Sequence, residues 1–260
     1  MKNEKENRIG ATGKSCYGDA MQIVDYLDSN HIKVKFLDET GYTTDTTYAY
    51  FLRGTVRNPF RKSVCDIGVV GLIPTKENGR LTVEYKTWCN VLRRCKSNSG
   101  RRRDACYIGC DVCDEWLKLE NFSKWLHDQS NFENWKSLSK RAIDKDIIRK
   151  HNNIYSPSTC FLVPSYINNL FTRRENDRGE YAIGVSFHKR DLCYTSNCHN
   201  PFTNSNVSLG YHDTELEAFC AYKEYKENII KKCAELELGR GNISNECYEA
   251  MISYEVEFTD

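Results

Sequence analysis

The chain has 260 residues, 28% of them charged and 40% apolar, with a formal net charge of +1. That balance excludes a disordered chain, and it excludes a globally basic surface, so any nucleic-acid contact must be a local patch. No apolar run approaches the ~20 residues that span a bilayer, and residues 1–8 lack the apolar stretch of a signal peptide, so an intracellular, cytoplasmic protein with no membrane partner is expected. Thirteen cysteines is a high and odd count. Without a secretory signal they read as reduced, mostly buried thiols rather than a disulfide framework.

In chain order, Met21-Gln22-Ile23-Val24-Asp25-Tyr26 and Ile32-Lys33-Val34-Lys35-Phe36-Leu37 alternate as strands do, with Asp28-Ser29-Asn30 as the turn between them. Gly41 and Gly54 punctuate two shorter segments, and Asn58-Pro59 is the exit turn of a small β domain. Lys33 and Lys35 face away from Ile32, Val34 and Phe36, the pattern of a half-solvated sheet that can also meet a phosphate backbone. Tyr85, Trp88, Leu92 and Cys95 then fall at helical spacing, as do Trp116, Leu119, Phe122 and Leu126, with Trp125 beside them; core packing explains these tryptophans.

From Ala142 onward the pattern becomes strand, turn, strand, helix. Residues 142–148 are one extended or mixed run, His151-Asn152-Asn153 a turn, and residues 159–163 a second β run ended by Pro164. Ser165 is placed to cap a short helix carrying Asn168, Asn169 and Phe171. The last zone has strands over 181–187, 193–198 and 207–210. Thr214 and Glu217 form a capping box before Ala218, Tyr222, Tyr225 and Ile229, which line one helical face. A short helix near 246–254 closes the chain. The fold class is therefore α+β: a small β domain over 1–62, a helical and strand–helix middle over 63–176, and a three-stranded sheet packed on a helix over 177–260.

Arg93, Arg94 and Lys96, followed by Arg101, Arg102 and Arg103, are the strongest basic cluster, either a sequence-blind phosphate clamp or a solvated loop. Cys106, Cys110 and Cys113 offer one zinc knuckle with Cys95 or Cys89 as a fourth thiolate, although Cys113 also suits a buried position before the second helical stripe. His31, His127, His199 and His212 stand singly.

The string Leu209-Gly210, Thr214-Glu215, Glu217-Ala218-Phe219, with Gly184-Val185 and the strand around Tyr194, resembles an APETALA-type (ERF-type) DNA-binding domain. In that family a three-stranded sheet reads a DNA groove and one helix braces it. The resemblance implies double-stranded DNA as the partner, met by Arg178, Ser186, His188, Lys189, Arg190, Tyr194 and Ser196. This sequence departs from the family in lacking several arginines and a tryptophan on the strands, and residues 197–206 look like a polar insertion. An ordinary sheet-and-helix unit for protein contacts is the other reading.

The middle segment resembles the ββα-metal fold of HNH endonucleases. That resemblance implies Asp144 and Asn168 as ligands of a divalent metal such as Mg²⁺. Lys145 stands where the family's base histidine is expected, and His151 or Asp146 is a substitute. Lysine is a poor general base because it stays protonated. Residues 85 to about 230 together, through Tyr85, Trp88, Arg94-Cys95, Trp116, Asp144-Lys145-Asp146, Tyr155-Ser156-Pro157 and Ile167-Asn168, are similar to phage and prophage proteins that join a diverged HNH-like segment to an APETALA-type domain. The expectation is a phage-type DNA-binding protein in a bacterial cell, with or without Mg²⁺-dependent endonuclease activity. A non-catalytic protein that binds a host protein, in a counter-defence or regulatory role, is the alternative.

Overall fold

Met21, Ile23, Ile32, Val34 and Phe36 alternate with polar side chains, and that pattern folds into an antiparallel sheet with one face in a core. The computed structural model describes residues 8–96, 109–172 and 180–260. The chain is mixed α+β and divides into two compact units. One is Met1–Arg80 with Lys118–Glu120; the other is Leu81–Leu117 with Asn121–Asp260. No helix among the described residues is long and apolar enough to cross a membrane.

In the first unit, β1 (Thr12–Lys14), β2 (Ala20–Asp28), β3 (His31–Phe36) and β4 (Thr43–Thr46) form one sheet in sequence order. The β2–β3 turn closes because Asp28 Oδ1 accepts the backbone N–H groups of Asn30 and His31. Helix α1 (Tyr48–Arg53) is capped by the Thr47 hydroxyl and stopped by Gly54, and it adds Phe51 to the core. Two small hairpins follow, β5 (Lys62–Val64) with β6 (Gly68–Val69) and β7 (Lys76–Glu77) with β8 (Arg80–Leu81).

The second unit opens with α2 (Val83–Lys96), which buries Trp88 and Leu92 of the expected stripe and Val91 beside them, and half-buries Tyr85 and Cys95. Trp88 donates its indole N–H to the Trp116 carbonyl at 2.7 Å, and the Trp116 ring packs on Phe122 and Trp125. The chain continues through β9 (Asp111–Val112), α3 (Leu119–Asp128), α4 (Phe132–Ser137), β10 (Arg141–Asp144), β11 (Ile154–Tyr155), β12 (Phe161–Pro164) and α5 (Ser165–Phe171). Strands β10 and β12 pair antiparallel, with Asp144 opposite Phe161, while β11 pairs parallel with β9. The run over 142–148 is mixed, its strand stopping at Asp144, where the side chain folds back on the next residues. One local expectation is corrected: Ser165 is the first residue of α5, whose N-cap is Pro164 without a side-chain cap.

Strands β13 (Val185–His188), β14 (Cys193–Asn200) and β15 (Ser205–His212) form the last sheet, in that order. The apparent polar insertion at 197–206 is the β14–β15 hairpin itself, since Cys198, His199 and Asn200 pair with Val207, Asn206 and Ser205. Helix α6 (Glu215–Gly239) starts at Thr214 with both bonds of the capping box present. Its first turns place Ala218, Phe219 and Tyr222 against Val185, Cys198 and Leu209 of the sheet. Its later turns place Ile229, Ile230, Cys233 and Ala234 against Phe161, Val163, Ile167, Leu170 and helix α7 (Asn245–Ile252). These two cores share α6 within one compact unit.

Gly184 has φ +75°, and a β-carbon there would overlap the Tyr222 ring. Gly184→Ala is expected to destabilise the chain by ~2–4 kcal/mol through strain and overpacking, whereas Thr214→Ala costs about 1 kcal/mol through the lost cap. Urea unfolding of the two variants checks that ranking.

Candidate functional site

Two places carry the side chains singled out in the sequence: the outward face of the β13–β15 sheet, and the loop between β10 and β12.

Pleating fixes the sheet face. Val185, Tyr194, Cys198 and Leu209 point to α6, so their neighbours point away from it. Across the strands, Ser186, Thr195 and Tyr211 form one row, Asn197 and Ser208 a second, and His199 and Asn206 a third, with His188 and Cys193 at the end. This face is rich in hydroxyl, amide and imidazole groups and poor in charge. Tyr211 is 69% exposed and has an edge contact with His188. Lys189 and Arg190 sit at the β13–β14 turn, where the Arg190 side chain is 91% exposed and lies 3.6 Å from Asp191, which also meets His188 at 3.1 Å.

Two residues expected on this face lie behind it. The Tyr194 ring packs 5.0 Å from Phe187 and 5.6 Å from Tyr181 on the helix side. Ser196 is fully buried, with its hydroxyl 3.3 Å from His212 Nε2. Strand β14 alternates without interruption from Tyr194 to Cys198, so Thr195 and Asn197 stand on the outer face instead, and the register shift opposite Ser196 is taken up by Leu209 and Gly210 of β15. Thr195, Asn197, Ser208 and Tyr211 were missed in the sequence; the inward parity of Val207 and Leu209 was the available signal for Ser208.

The β10–β12 loop is organised by its own polar groups. Asp144 is only 2% exposed, and its Oδ1 accepts the backbone N–H groups of Asp146 and Ile147, each at 2.8 Å. Burial pushes its carboxyl up to about 7; the charge of Asp146 pushes the same way, against the two N–H bonds and Lys145. Lys145 is buried, and its ammonium donates to both oxygens of Asp146 at 2.8 and 3.0 Å and to the Asn152 carbonyl at 2.6 Å. Asn152 answers with its amide on the carbonyls of Lys145 and Ile154. Lys145 and Asn152 therefore clamp the two ends of the loop. His151 lies on the exposed turn in a left-handed conformation, φ +59°. Asn168 donates to Thr172 Oγ1 within α5.

This donor set does not fit a resident divalent cation. Mg²⁺ takes water-accessible carboxylates, and Asp144 is buried and turned onto its own backbone. Lys145 has no lone pair to offer as a base while its three protons are engaged.

At the end of α2, Arg93 and Lys96 are exposed, Arg93 donating to Asn90, while Arg94 donates to the Tyr155 hydroxyl at 3.3 Å. Arg101, Arg102, Arg103, Arg178 and Cys106 lie outside the described residues. Burial, then the neighbouring Cys110 and Asp111, pushes the Cys95 thiol up to about 12, and burial raises Cys113 as well. No group of three or more His, Cys, Asp or Glu placed to hold a metal occurs among the described residues.

Compared with protein-family models, with curated proteins and with solved structures, the chain matches none.

The folded state keeps a proton on Asp144 that an unfolded aspartate, near 3.8, has already released. Stability contributed by this group is thus lost as pH rises from about 4 to 7. Asp144→Asn keeps the acceptor for both N–H groups and removes the titration. It is expected to unfold like the wild type at pH 4 and to be more stable by about 1–3 kcal/mol at pH 8. Thermal melts across that range check this.

Proposed function

We propose that this chain is a phage-type protein that binds double-stranded DNA through the outward face of β13–β15, acting in the cytoplasm of a bacterial host. The carrying observation is the face itself: Ser186, Thr195, Tyr211, Asn197, Ser208 and His188 project from a sheet held rigid by α6. Hydroxyl, amide and imidazole groups are the donors and acceptors that read base edges, and a two- or three-stranded sheet fits a major groove. Lys189 and Arg190 at the end of the face, and Arg93 and Lys96 on α2, are cations for phosphates. The resemblance to an APETALA-type domain supports the same reading.

The β10–β12–α5 segment, despite its HNH-like order, serves this protein as scaffold. Its aspartate and lysine are spent on closing the loop.

A protein partner is the second reading. Leu192 and Tyr211 are exposed apolar groups beside the same face, and Asp191 offsets its cations.

Salt separates the two. Affinity for a ~20-base-pair duplex is expected to fall steeply with salt, and Lys189→Ala with Arg190→Ala to flatten that slope by about 2. Tyr211→Ala is expected to weaken binding about tenfold with the slope unchanged, because it removes a base-edge contact rather than a phosphate contact. Fluorescence anisotropy from low to high salt measures both; salt-insensitive or absent DNA binding by the wild type favours a protein partner. Supercoiled plasmid incubated with Mg²⁺ is expected to stay intact. Nicking that Asp144→Asn abolishes would restore the endonuclease reading.

A further inference from the structure

The first unit has an open sheet edge that the DNA-binding reading does not use. Among the described residues, strand β4 is the outer strand of its sheet and pairs only with β3. The Phe36 N–H donates to the Tyr42 carbonyl, so the hydrogen-bonded positions of the β3–β4 ladder are Phe36–Tyr42, Val34–Thr44 and Ile32–Thr46. Thr43 and Asp45 then turn their backbone N–H and carbonyl groups to the free side. The Asp45 carbonyl meets the Thr44 hydroxyl at 3.4 Å.

That free side is a cleft of about 480 Å³, lined by Thr44, Asp45 and Thr46 on β4, by Tyr50 on α1, and by Thr55, Val56 and Arg57. The size lies in the ~300–1,000 Å³ range of ligand clefts. Val56 and Arg57, on the other wall, make no backbone hydrogen bond to any described residue. Tyr50 is 51% exposed. Two walls of unpaired backbone around one cleft are what an added strand requires.

We propose that this cleft binds an extended peptide segment of a partner protein by strand addition to β4, the segment alternating β-branched and lysine residues. Charge and parity select that chemistry. The Asp45 side chain is 86% exposed on the same face as Lys33, which lies 3.8 Å from it across the ladder. A lysine opposite Asp45 on the new strand repeats that pairing, and its two neighbours point towards the side of Thr44 and Thr46. A second copy of β4 does not fit, because antiparallel pairing centred on Asp45 sets two carboxylates opposite each other. Strand β3 itself, His31–Phe36, has the required alternation.

The test uses the full chain and a fluorescein-labelled peptide with the sequence of His31–Phe36, read by fluorescence polarisation. Asp45→Pro removes the outward N–H and leaves the β3 ladder bonds in place, since Asp45 faces Lys33 at a non-hydrogen-bonded pair. Asp45→Lys keeps the backbone and reverses the charge. Saturable binding by the wild type is expected, at least tenfold weaker in either variant and with a peptide whose lysines are replaced by glutamate. Hydrogen exchange should show the Thr43 and Asp45 amides protected by the peptide. No saturable binding at millimolar peptide, binding unchanged in Asp45→Lys, or unprotected Thr43 and Asp45 amides would each overturn the proposal.

Discussion

Helix α6 is buried twice, and the second unit depends on it. Its first turns cover the back of the β13–β15 sheet, and its later turns complete the core of β10, β12, α5 and α7. Burial of each large apolar side chain contributes ~1.5–3 kcal/mol, so neither the short sheet nor the small strand–helix segment has to stabilise itself alone. Even the one fully buried carboxylate on α6 serves this joint: Glu237 accepts from the Tyr166 hydroxyl at 2.8 Å, from Arg240 at 2.8 Å and from Asn242 at 2.7 Å. A buried carboxylate with three donors ties α5 and the segment leading into α7 to the helix.

That anchoring leaves the outer face of the sheet free of structural duty. Most of its side chains keep hydrogen-bonding groups turned outward, with Thr195 bonded to the Ser186 carbonyl and His188 to Asp191, whereas Asp144, Lys145 and Asn152 of the β10–β12 loop are engaged within the loop. Asp144 folds onto two N–H groups, and Lys145, Asp146 and Asn152 close one another. On the proposed reading, recognition belongs to the sheet and support to the loop. A chain with a net charge of +1 can bind DNA this way only through directional contacts plus a few phosphates, not through a broad positive field.

Much of this was legible in the sequence. Periodicity located α2, the β2–β3 hairpin and α6, and Thr214 with Glu217 marked the helix start to the residue. What failed had local causes. The run Cys193–Asn200 is nearly all polar and gives no sign of which parity faces the helix, so Tyr194 and Ser196 read as outward although they share the inward parity of Cys198. The polar stretch at 197–206 contains strand residues whose outward side chains are simply hydrophilic, so it read as an insertion. At Asp144 the resemblance to HNH endonucleases implied a metal ligand, and only three-dimensional placement shows its oxygen turned to the backbone. Single-sequence patterns report which residues alternate; they do not report which donors a side chain has already met.

Hydroxyl-radical footprinting of the chain with and without a mixed-sequence DNA duplex tests the central assignment most directly. The account predicts that DNA protects Tyr211 and His188 on the outer face and leaves the inward Tyr194 unchanged. Unchanged oxidation of Tyr211 and His188 in a bound complex would contradict it.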